Sequence, residues 1–293
     1  MKRPLVGALT AALLGAAALT GVSAGPATAT SHDAAGTDST QQAGSTQQKA
    51  APDFAGTVAL SNCSGSVVRV PQSQPTDPAL VLSNGHCLES GMPDPGTVVV
   101  DEPSSRSFTL LDAGANEVGT LNATKIAYGT MTDTDASIYE LSTTYEEIES
   151  EYGIKPLDIA PEHPKEGTNV TVVSGYWKDT YSCAIDGFAH QLKEGGWTQK
   201  DSIRYTPECQ VIGGTSGSPL VDDATGQVVG VNNTTNENGE ECTLNNPCEV
   251  DENGNVTVHE GIGYAQQVYL FADCITTGNK IDLSLPECEL PSP

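Results

Sequence analysis

Basic residues are scarce in this sequence, which has 13 Lys and Arg against 38 Asp and Glu and a formal net charge of −25. Proteins that bind nucleic acids or anionic membranes present clustered Lys and Arg, because these side chains neutralise phosphate groups. The composition therefore argues against both kinds of partner. An acidic surface can attract cationic substrates, although its ordinary role is to keep a protein soluble.

Long apolar runs are missing after the N-terminal segment, which argues against a membrane span because such a helix needs roughly 20 apolar residues. Residues 1–29 begin with Lys2 and Arg3, continue through a Val-, Leu- and Ala-rich run and end in small residues. This pattern predicts a secretory signal peptide cleaved after Ala29, or alternatively after Ala24. Removal of the two basic residues would change the formal charge from −25 to −27. We expect a soluble protein that is secreted into the extracellular space.

Residues 30–53 have almost no large apolar side chains and are rich in Ser, Thr, Gln and Ala. Such a segment cannot bury enough apolar surface to offset the entropy that is lost on folding. We therefore predict a disordered leader or short pro-segment here, followed by a folded domain over residues 54–293.

Helical patterns are also rare, and only Ser142–Tyr152 and Ala265–Ile275 favour a helix. Instead, short runs of Val, Ile, Leu, Thr and Tyr alternate with Gly, Pro, Asn and Asp about every ten residues, which is typical of antiparallel strands. The predicted strands are Thr57–Leu60, Ser66–Val70, Ala79–Leu82, Thr97–Val100, Ser107–Leu111, Ser137–Leu141, Asn169–Val173, Gln227–Val231 and Ile262–Val268. The fold class is therefore all-β, as one large domain or two smaller barrels. Pro-rich residues 155–167 would connect halves at about 54–155 and 166–280.

Close CxxC pairs are missing from the sequence and its five histidines are scattered, so the pattern of a zinc site is not present. Cysteines themselves are even in number, which in an exported chain indicates disulfide bonds. The eight cysteines are Cys63, Cys87, Cys183, Cys209, Cys242, Cys248, Cys274 and Cys288. We expect all of them in disulfides, and no metal site.

The segment VIGGTSGSPL, residues 211–220, combines glycines, serines, a threonine and a proline. By composition it is a turn. A glycine-lined turn can also present a serine hydroxyl, here that of Ser216, to an acyl carbon. Serine is a weak nucleophile at neutral pH, so this second interpretation requires a histidine as general base and an acid that orients it.

His86 is the best-placed base, because it follows an apolar strand and an Asn-Gly turn in LVLSNGHCLES and is fixed beside Cys87. The other histidines lie in the leader or in polar or proline-rich surroundings: His32, His163, His190 and His259. For the acid, Asp133 and Asp135 precede a strand-like run in TDTDASIYELS. We favour Asp135, because an acid that orients an imidazole should lie at the buried start of the strand.

Taken in order, these segments resemble the chymotrypsin-like serine peptidases, especially their secreted bacterial branch. The matching segments are residues 63–66, 80–87, 135–141, 167–176, 214–220 and 230–234. They resemble the strands around the family's catalytic histidine, the strand opened by its aspartate, the first strand of its second barrel, its nucleophile loop and the strand beside its specificity pocket. The resemblance covers about residues 55–275.

The resemblance implies two six-stranded antiparallel β-barrels with a short C-terminal helix, and a monomeric endopeptidase that acts on protein or peptide substrates without a cofactor. On the matching positions, Ser216 would attack the carbonyl, His86 would accept and return the proton, and Asp135 would stabilise the imidazolium. The backbone N–H groups of Gly214 and Ser216 would form the oxyanion hole. Ser218 is the alternative hydroxyl, but it precedes a proline and matches a structural position.

A disulfide between Cys63 and Cys87, beside His86, is also implied by the resemblance. The other cysteines are expected to pair in sequence order, as Cys183–Cys209, Cys242–Cys248 and Cys274–Cys288. The Cys242–Cys248 pair would close an acidic insertion, residues 235–255. We expect a solvated loop there rather than a Ca²⁺ site, because its acidic residues lack the spacing of an EF-hand.

Gln210, Asn232, Asn233 and Thr234 are the residues expected to line the substrate pocket. They include neither a base that would support a glutamate preference nor an acid that would support trypsin-like cleavage, so the cleavage specificity stays open. Thr215 stands where many family members have the aspartate that pairs with a freed N-terminus. Activation through that ion pair is therefore not expected, and any latency would come from the leader covering the cleft.

Two other functions share these features. A protease-fold binding protein that has lost activity is the first, although all three triad residues are present here. An esterase can use the same triad, but it more often has Gly-x-Ser-x-Gly within an alternating α/β pattern. In this sequence the last position of that motif is Ser218, and helical patterns are scarce.

Overall fold

The computed structural model describes residues 51–293. The predicted signal peptide and nearly all of the predicted leader lie outside this range. Within it, no helix combines the length and the apolar composition that crossing a membrane requires.

The first half of the described chain forms a closed β-barrel. Its elements are β1 (Thr57–Ala59), β2 (Ser64–Arg69), β3 (Pro78–Ser83), β4 (Val98–Pro103), β5 (Ser107–Leu111), β6 (Glu117–Thr130), β7 (Ala136–Thr144), α1 (Tyr145–Tyr152) and β8 (Leu157–Asp158). Six antiparallel strands pair in the order β1-β5-β6-β7-β3-β2, and β2 pairs with β1 to close the ring. Strand β4 extends the sheet from β6, and β8 joins β2 in parallel.

The second half forms a second ring. Its elements are β9 (Asn169–Ser174), β10 (Asp179–Glu194), β11 (Trp197–Tyr205), β12 (Pro219–Asp222), β13 (Val228–Thr235), β14 (Cys248–Val250), β15 (Val256–Thr257), β16 (Gly263–Gln267), α2 (Leu270–Cys274), β17 (Ile275–Thr276) and β18 (Lys280–Ile281). Six strands pair in the order β11-β16-β13-β12-β9-β10, and β10 pairs with β11 to close the ring. The prediction of two six-stranded antiparallel barrels and a short C-terminal helix is therefore confirmed.

Side-chain alternation explains why these segments form barrel strands. In β6, Leu121 and Ala123 are buried, whereas Asn122 and Thr124 between and beside them are exposed. This period of two gives a strand one apolar face, which an antiparallel barrel turns inward. A separate apolar cluster joins strands β2, β3, β6 and β7 of the first barrel to β13 and α2 of the second, so the two barrels share a buried interface.

All nine predicted strands overlap observed ones, but the long strands β6, β10 and β11 were not predicted. Helix α1 begins at Tyr145, later than predicted, because Thr144 is its N-cap. The Thr144 hydroxyl accepts from the Glu147 N–H, and the Glu147 carboxylate accepts from the Thr144 N–H. The helix predicted over Ala265–Ile275 is wrong at its start, since residues 265–267 belong to β16 and the helix covers only Leu270–Cys274.

All eight cysteines form disulfides, in the predicted pairs. The pairs are Cys63–Cys87, Cys183–Cys209, Cys242–Cys248 and Cys274–Cys288. Because each sulfur is bonded to another sulfur, none is available as a zinc-binding thiolate. Four disulfides fit an extracellular or otherwise oxidising environment.

Candidate active site

The turn after β3 holds His86 against the start of β7. The Asn84 side chain donates to the backbone carbonyl of Asp135 at 2.7 Å, and the Ser137 hydroxyl donates to the carbonyl of Asn84 at 2.8 Å. At Gly85 the backbone lies so close to β6 that a Cβ would stand 1.9 Å from the carbonyl oxygen of Thr130. Glycine is therefore required before His86 for steric reasons.

His86 and Asp135 form a pair with two contacts. The backbone N–H of His86 donates to Oδ1 of Asp135 at 2.9 Å, and Nδ1 of His86 lies 2.8 Å from Oδ2. Asp135 is buried, with 2% of its surface exposed. Because an ionised carboxylate only accepts hydrogen bonds, Nδ1 carries the proton and Nε2 of the neutral ring is left with a lone pair. The pair therefore has the tautomer that a general base needs.

The pKa of His86 lies above its ordinary value of 6.5. Burial lowers this pKa, but the charge of Asp135 and its hydrogen bond to the ring raise it by more, and the charge of Glu194 raises it further. The imidazolium form is thus stabilised by the two carboxylates around it.

The loop that carries Ser216 is anchored to both barrels. The Ser64 N–H in β2 donates to the carbonyl of Ser216 at 2.8 Å, and the Gly217 N–H donates to the carbonyl of Asn232 at 2.9 Å. Gly217 has a φ of +79°, and a Cβ there would lie 2.1 Å from the carbonyl oxygen of Ser64. The turn interpretation of this segment is thus correct, and the turn brings Ser216 to the boundary between the barrels.

The Ser216 hydroxyl donates to the carbonyl of Asn233 at 3.2 Å. Within residues 51–293 no hydrogen bond joins it to His86, yet both side chains line one pocket together with Asp135. The structure therefore places the three predicted catalytic residues around the same cavity, with the serine side chain turned towards β13.

Two backbone N–H groups of the loop that carries Ser216, its own and that of Gly214, lack a hydrogen-bond acceptor within residues 51–293. The carbonyl of Gly213 is held on the other side of the peptide by the indole Nε1 of Trp177, at 2.8 Å. Gly214 has a φ of +91°, and a Cβ there would lie 2.8 Å from the same indole nitrogen. The peptide before Gly214 is therefore oriented with its oxygen towards Trp177.

The pocket contains three of the four residues predicted to line it, Asn232, Asn233 and Thr234. Gln210 is not among them: its side chain is exposed and donates to the carbonyl of Pro207 at 2.7 Å. The difference arises because residues 206–210 fold into a turn of their own, with the Cys209 N–H donating to the carbonyl of residue 206.

Asn232 hydrogen-bonds to the loop that carries Ser216. Its side-chain amide donates to the Thr215 hydroxyl at 3.0 Å, and its side-chain oxygen accepts from the Tyr205 hydroxyl at 3.1 Å. The Thr215 hydroxyl in turn donates to the carbonyl of Ile212 at 2.6 Å. Thr215 is buried, and the hydrogen-bond network around it contains only uncharged groups.

The alternative candidates for the nucleophile, the acid and the base, Ser218, Asp133 and His163, lie away from the pocket or are buried. Ser218 is fully buried, and its hydroxyl has no hydrogen-bond partner among the described residues. Asp133 pairs with Lys200 at 2.8 Å on the surface. His163 forms a second His–Asp pair, with Asp201 at 2.9 Å, but this pair does not line the pocket.

Several pocket residues were not anticipated from the sequence. Glu194 and Trp197 reach the pocket from the β10–β11 hairpin, and Glu237, Leu244 and Asn245 reach it from the acidic insertion. The expectation of a solvated loop over residues 235–255 holds for most of the segment, whose residues are largely exposed, but Cys248–Val250 form strand β14, which pairs with β10. The Cys pair was the one signal of local order in this segment.

A family model of the trypsin-like peptidase domain matches residues 63–231, more than half of the 293-residue chain. The matched range includes His86, Asp135 and Ser216. A comparison with curated protein sequences finds no match.

Solved structures similar to this chain include the active form of the Rv3671c protease from M. tuberculosis, with 17% identity and a TM-score of 0.47 over 82% of this chain and 85% of that one. The MamO protease domain from Magnetospirillum magneticum has 14% identity and a TM-score of 0.44, over 73% and 92% of the two chains. The thermostable serine protease AL20 from an extremophilic microorganism has 17% identity and a TM-score of 0.43, over 73% and 91%. Since the family model covers more than half of the sequence, the chain belongs to the family of trypsin-like peptidase domains.

Proposed function

We propose that this protein is a serine endopeptidase that hydrolyses peptide bonds through an acyl-enzyme intermediate. The observation that carries the proposal is that the paired His86 and Asp135 line one pocket with Ser216. The backbone N–H groups of Gly214 and Ser216 have no acceptor among residues 51–293. Membership of the trypsin-like peptidase family supports the same reaction. Each component has a separate task in acyl transfer.

Acylation begins when the Ser216 hydroxyl rotates from the carbonyl of Asn233 towards Nε2 of His86. Its oxygen attacks the carbonyl carbon of the substrate while Nε2 accepts the proton. The negative charge of Asp135 stabilises the imidazolium that forms. The tetrahedral intermediate then breaks its C–N bond, His86 returns the proton to the leaving amine, and Ser216 keeps the acyl group as an ester.

Deacylation repeats these steps with water as the nucleophile. His86 accepts a proton from the water, which attacks the ester carbonyl, and it returns the proton to the Ser216 oxygen as the carboxylic acid leaves. In both halves the amides of Gly214 and Ser216 donate to the oxyanion. Removing one such donor typically costs about 3–4 kcal/mol of transition-state stabilisation.

The nucleophile loop is held in this arrangement without a buried ion pair. The Thr215 hydroxyl instead donates a hydrogen bond to the carbonyl of Ile212 and accepts one from the Asn232 side chain. The carbonyl of Gly213 accepts a hydrogen bond from the indole of Trp177. All of these hydrogen bonds form among residues 51–293. We therefore propose that activity does not depend on a new N-terminal ammonium group. Any latency would come from the leader segment.

The substrates are proteins or peptides, and the setting is extracellular. The N-terminal signal pattern and the disulfides support secretion, and the excess of Asp and Glu argues against nucleic acid or anionic membranes as partners. We propose a monomer that works without a metal ion or cofactor, since the reaction described above requires none.

A fluorophosphonate probe tests this function directly, because it forms a stable adduct only with an activated serine. The purified protein is labelled and the adduct is mapped by mass spectrometry. We expect the label on Ser216, no label in Ser216→Ala, and unchanged labelling in Ser218→Ala, which removes a neighbouring buried hydroxyl. A label that survives Ser216→Ala, or an unlabelled wild-type protein, would refute the proposal.

A further inference from the structure

The pocket has an acidic wall that the catalytic steps do not use. Glu194, the last residue of β10, lines it together with Glu237 from the acidic insertion. Among the residues that line this pocket, His86 is the only one that can carry a positive charge. The space around the reacting groups therefore has an excess of negative charge.

Glu194 is held in a fixed position at this wall. The backbone N–H of Asn245 donates to Oε1 of Glu194 at 2.8 Å, and the N–H of Gly195 donates to the carbonyl of Cys242 at 2.9 Å. The Cys242–Cys248 disulfide closes the loop that provides both contacts. The insertion and the hairpin thus brace the carboxylate, as a recognition group requires.

The charge of Glu194 has no cationic partner among residues 51–293. Other part-buried glutamates are paired: Glu140 lies 2.7 Å from Lys280, and Glu249 lies 2.9 Å from Arg204. Burial raises the pKa of Glu194 above its ordinary value, although hydrogen bonds from the Asn245 amide and the Thr234 side chain lower it. A half-buried, unpaired carboxylate is costly to keep unless something else supplies the opposite charge.

The surroundings of Glu194 suit a long cationic side chain. Trp197 stands opposite Glu194 in the β10–β11 register, and Met131 and Leu244 line the same pocket. The methylene groups of Lys or Arg can pack on such apolar side chains while the charged end reaches a carboxylate. A carboxylate can accept about four hydrogen bonds, so those from Asn245 and Thr234 leave acceptor capacity for a cation.

We propose that Glu194 determines specificity by binding a Lys or Arg side chain of the peptide substrate. This inference rests on the proposed function, because it assigns the substrate of that same pocket. It is a preference at one position of the peptide, set by the hairpin and the insertion rather than by the β13 residues that the sequence pointed to.

Binding is measured with the Ser216→Ala protein, so that turnover does not interfere. The probes are short peptides of one sequence in which Lys, or the uncharged norleucine of similar shape, occupies each position in turn. At one position we expect the Lys peptide to bind about 10- to 100-fold more tightly, as for a charge-assisted hydrogen bond. Adding Glu194→Gln should remove that difference, whereas Glu162→Gln, which removes an exposed carboxylate, should leave it intact.

The outcomes separate this inference from the proposed function. If no position discriminates Lys from norleucine, or if Glu194→Gln leaves the discrimination unchanged, the assignment of Glu194 is wrong, whatever the labelling of Ser216 shows. If the discrimination depends on Glu194 but wild-type protein is not labelled by fluorophosphonate, the pocket binds cationic peptides without hydrolysing them. Circular dichroism and thermal melting of Glu194→Gln establish that the variant is folded, so a loss of discrimination reports on the missing charge.

Discussion

Gly85→Ala tests the steric argument for the position of His86. A Cβ at residue 85 would lie 1.9 Å from the carbonyl oxygen of Thr130, whereas ordinary contacts begin at about 3.4 Å. The turn or β6 must therefore move by about 1.5 Å. Overpacking of this kind costs about 1–3 kcal/mol of stability. A displacement of about 1 Å at a catalytic group can cost about 100-fold in rate.

We therefore expect Gly85→Ala to lower kcat/KM for a fluorogenic peptide by about 100-fold. The melting temperature should fall by roughly 2 to 12 °C, because each kcal/mol of lost stability lowers it by about 2–4 °C in a domain of this size. The matched control is Gly196→Ala, since a Cβ there would meet only Cγ of Pro95 at 3.5 Å. A Gly85→Ala protein that keeps wild-type kcat/KM would refute the reasoning, because the turn would then have room that the structure denies it.

The contacts of the site lead to four further predictions. Asp135→Asn should lower kcat by about 10⁴-fold with little change in KM, because the amide cannot fix the tautomer of His86; a loss of less than tenfold would contradict the proposed role. The kcat/KM of the wild type should rise with pH with a midpoint above 6.5, because only the neutral imidazole accepts a proton and its pKa is raised. In Glu194→Gln, assayed with an uncharged substrate, that midpoint should move to lower pH, because one negative charge that stabilises the imidazolium is removed; no movement, or a rise, would count against this. Trp177→Phe keeps an aromatic ring but removes the donor to the carbonyl of Gly213, so kcat should fall by about 3- to 10-fold while KM changes little, as expected for one lost hydrogen bond. A change in KM alone would show that Trp177 contacts substrate instead.

Local sequence carried much of the information about His86, Asp135 and Ser216. The Asn-Gly turn before His86, the acid at the start of β7 and the glycine-flanked Ser216 each place a chemical group at the end of a strand. Such positions can be read from neighbouring residues, because the strand pattern and the turn residues lie within a few positions of the group. The structure brings the three side chains to one pocket.

Contacts between distant segments could not be read in the same way. Glu194 lies in a polar stretch of β10, and nothing near it in sequence indicates that the β10–β11 hairpin places it in the same pocket as His86. Trp177 meets the carbonyl of Gly213 across 36 residues. Gln210 shows the opposite error, since its place six residues before Ser216 suggested a pocket position, whereas a local turn directs it to solvent. These positions depend on tertiary packing, which spacing along the chain does not encode.

Cleavage of an internal peptide bond is the most direct test of the central claim. The purified wild-type protein and the Ser216→Ala variant are incubated with a library of internally quenched peptides, and the products are identified by mass spectrometry. We predict cleavage at internal bonds by the wild type and none by Ser216→Ala. Equal cleavage by both proteins, or no cleavage by the wild type, would contradict the assignment of a serine endopeptidase.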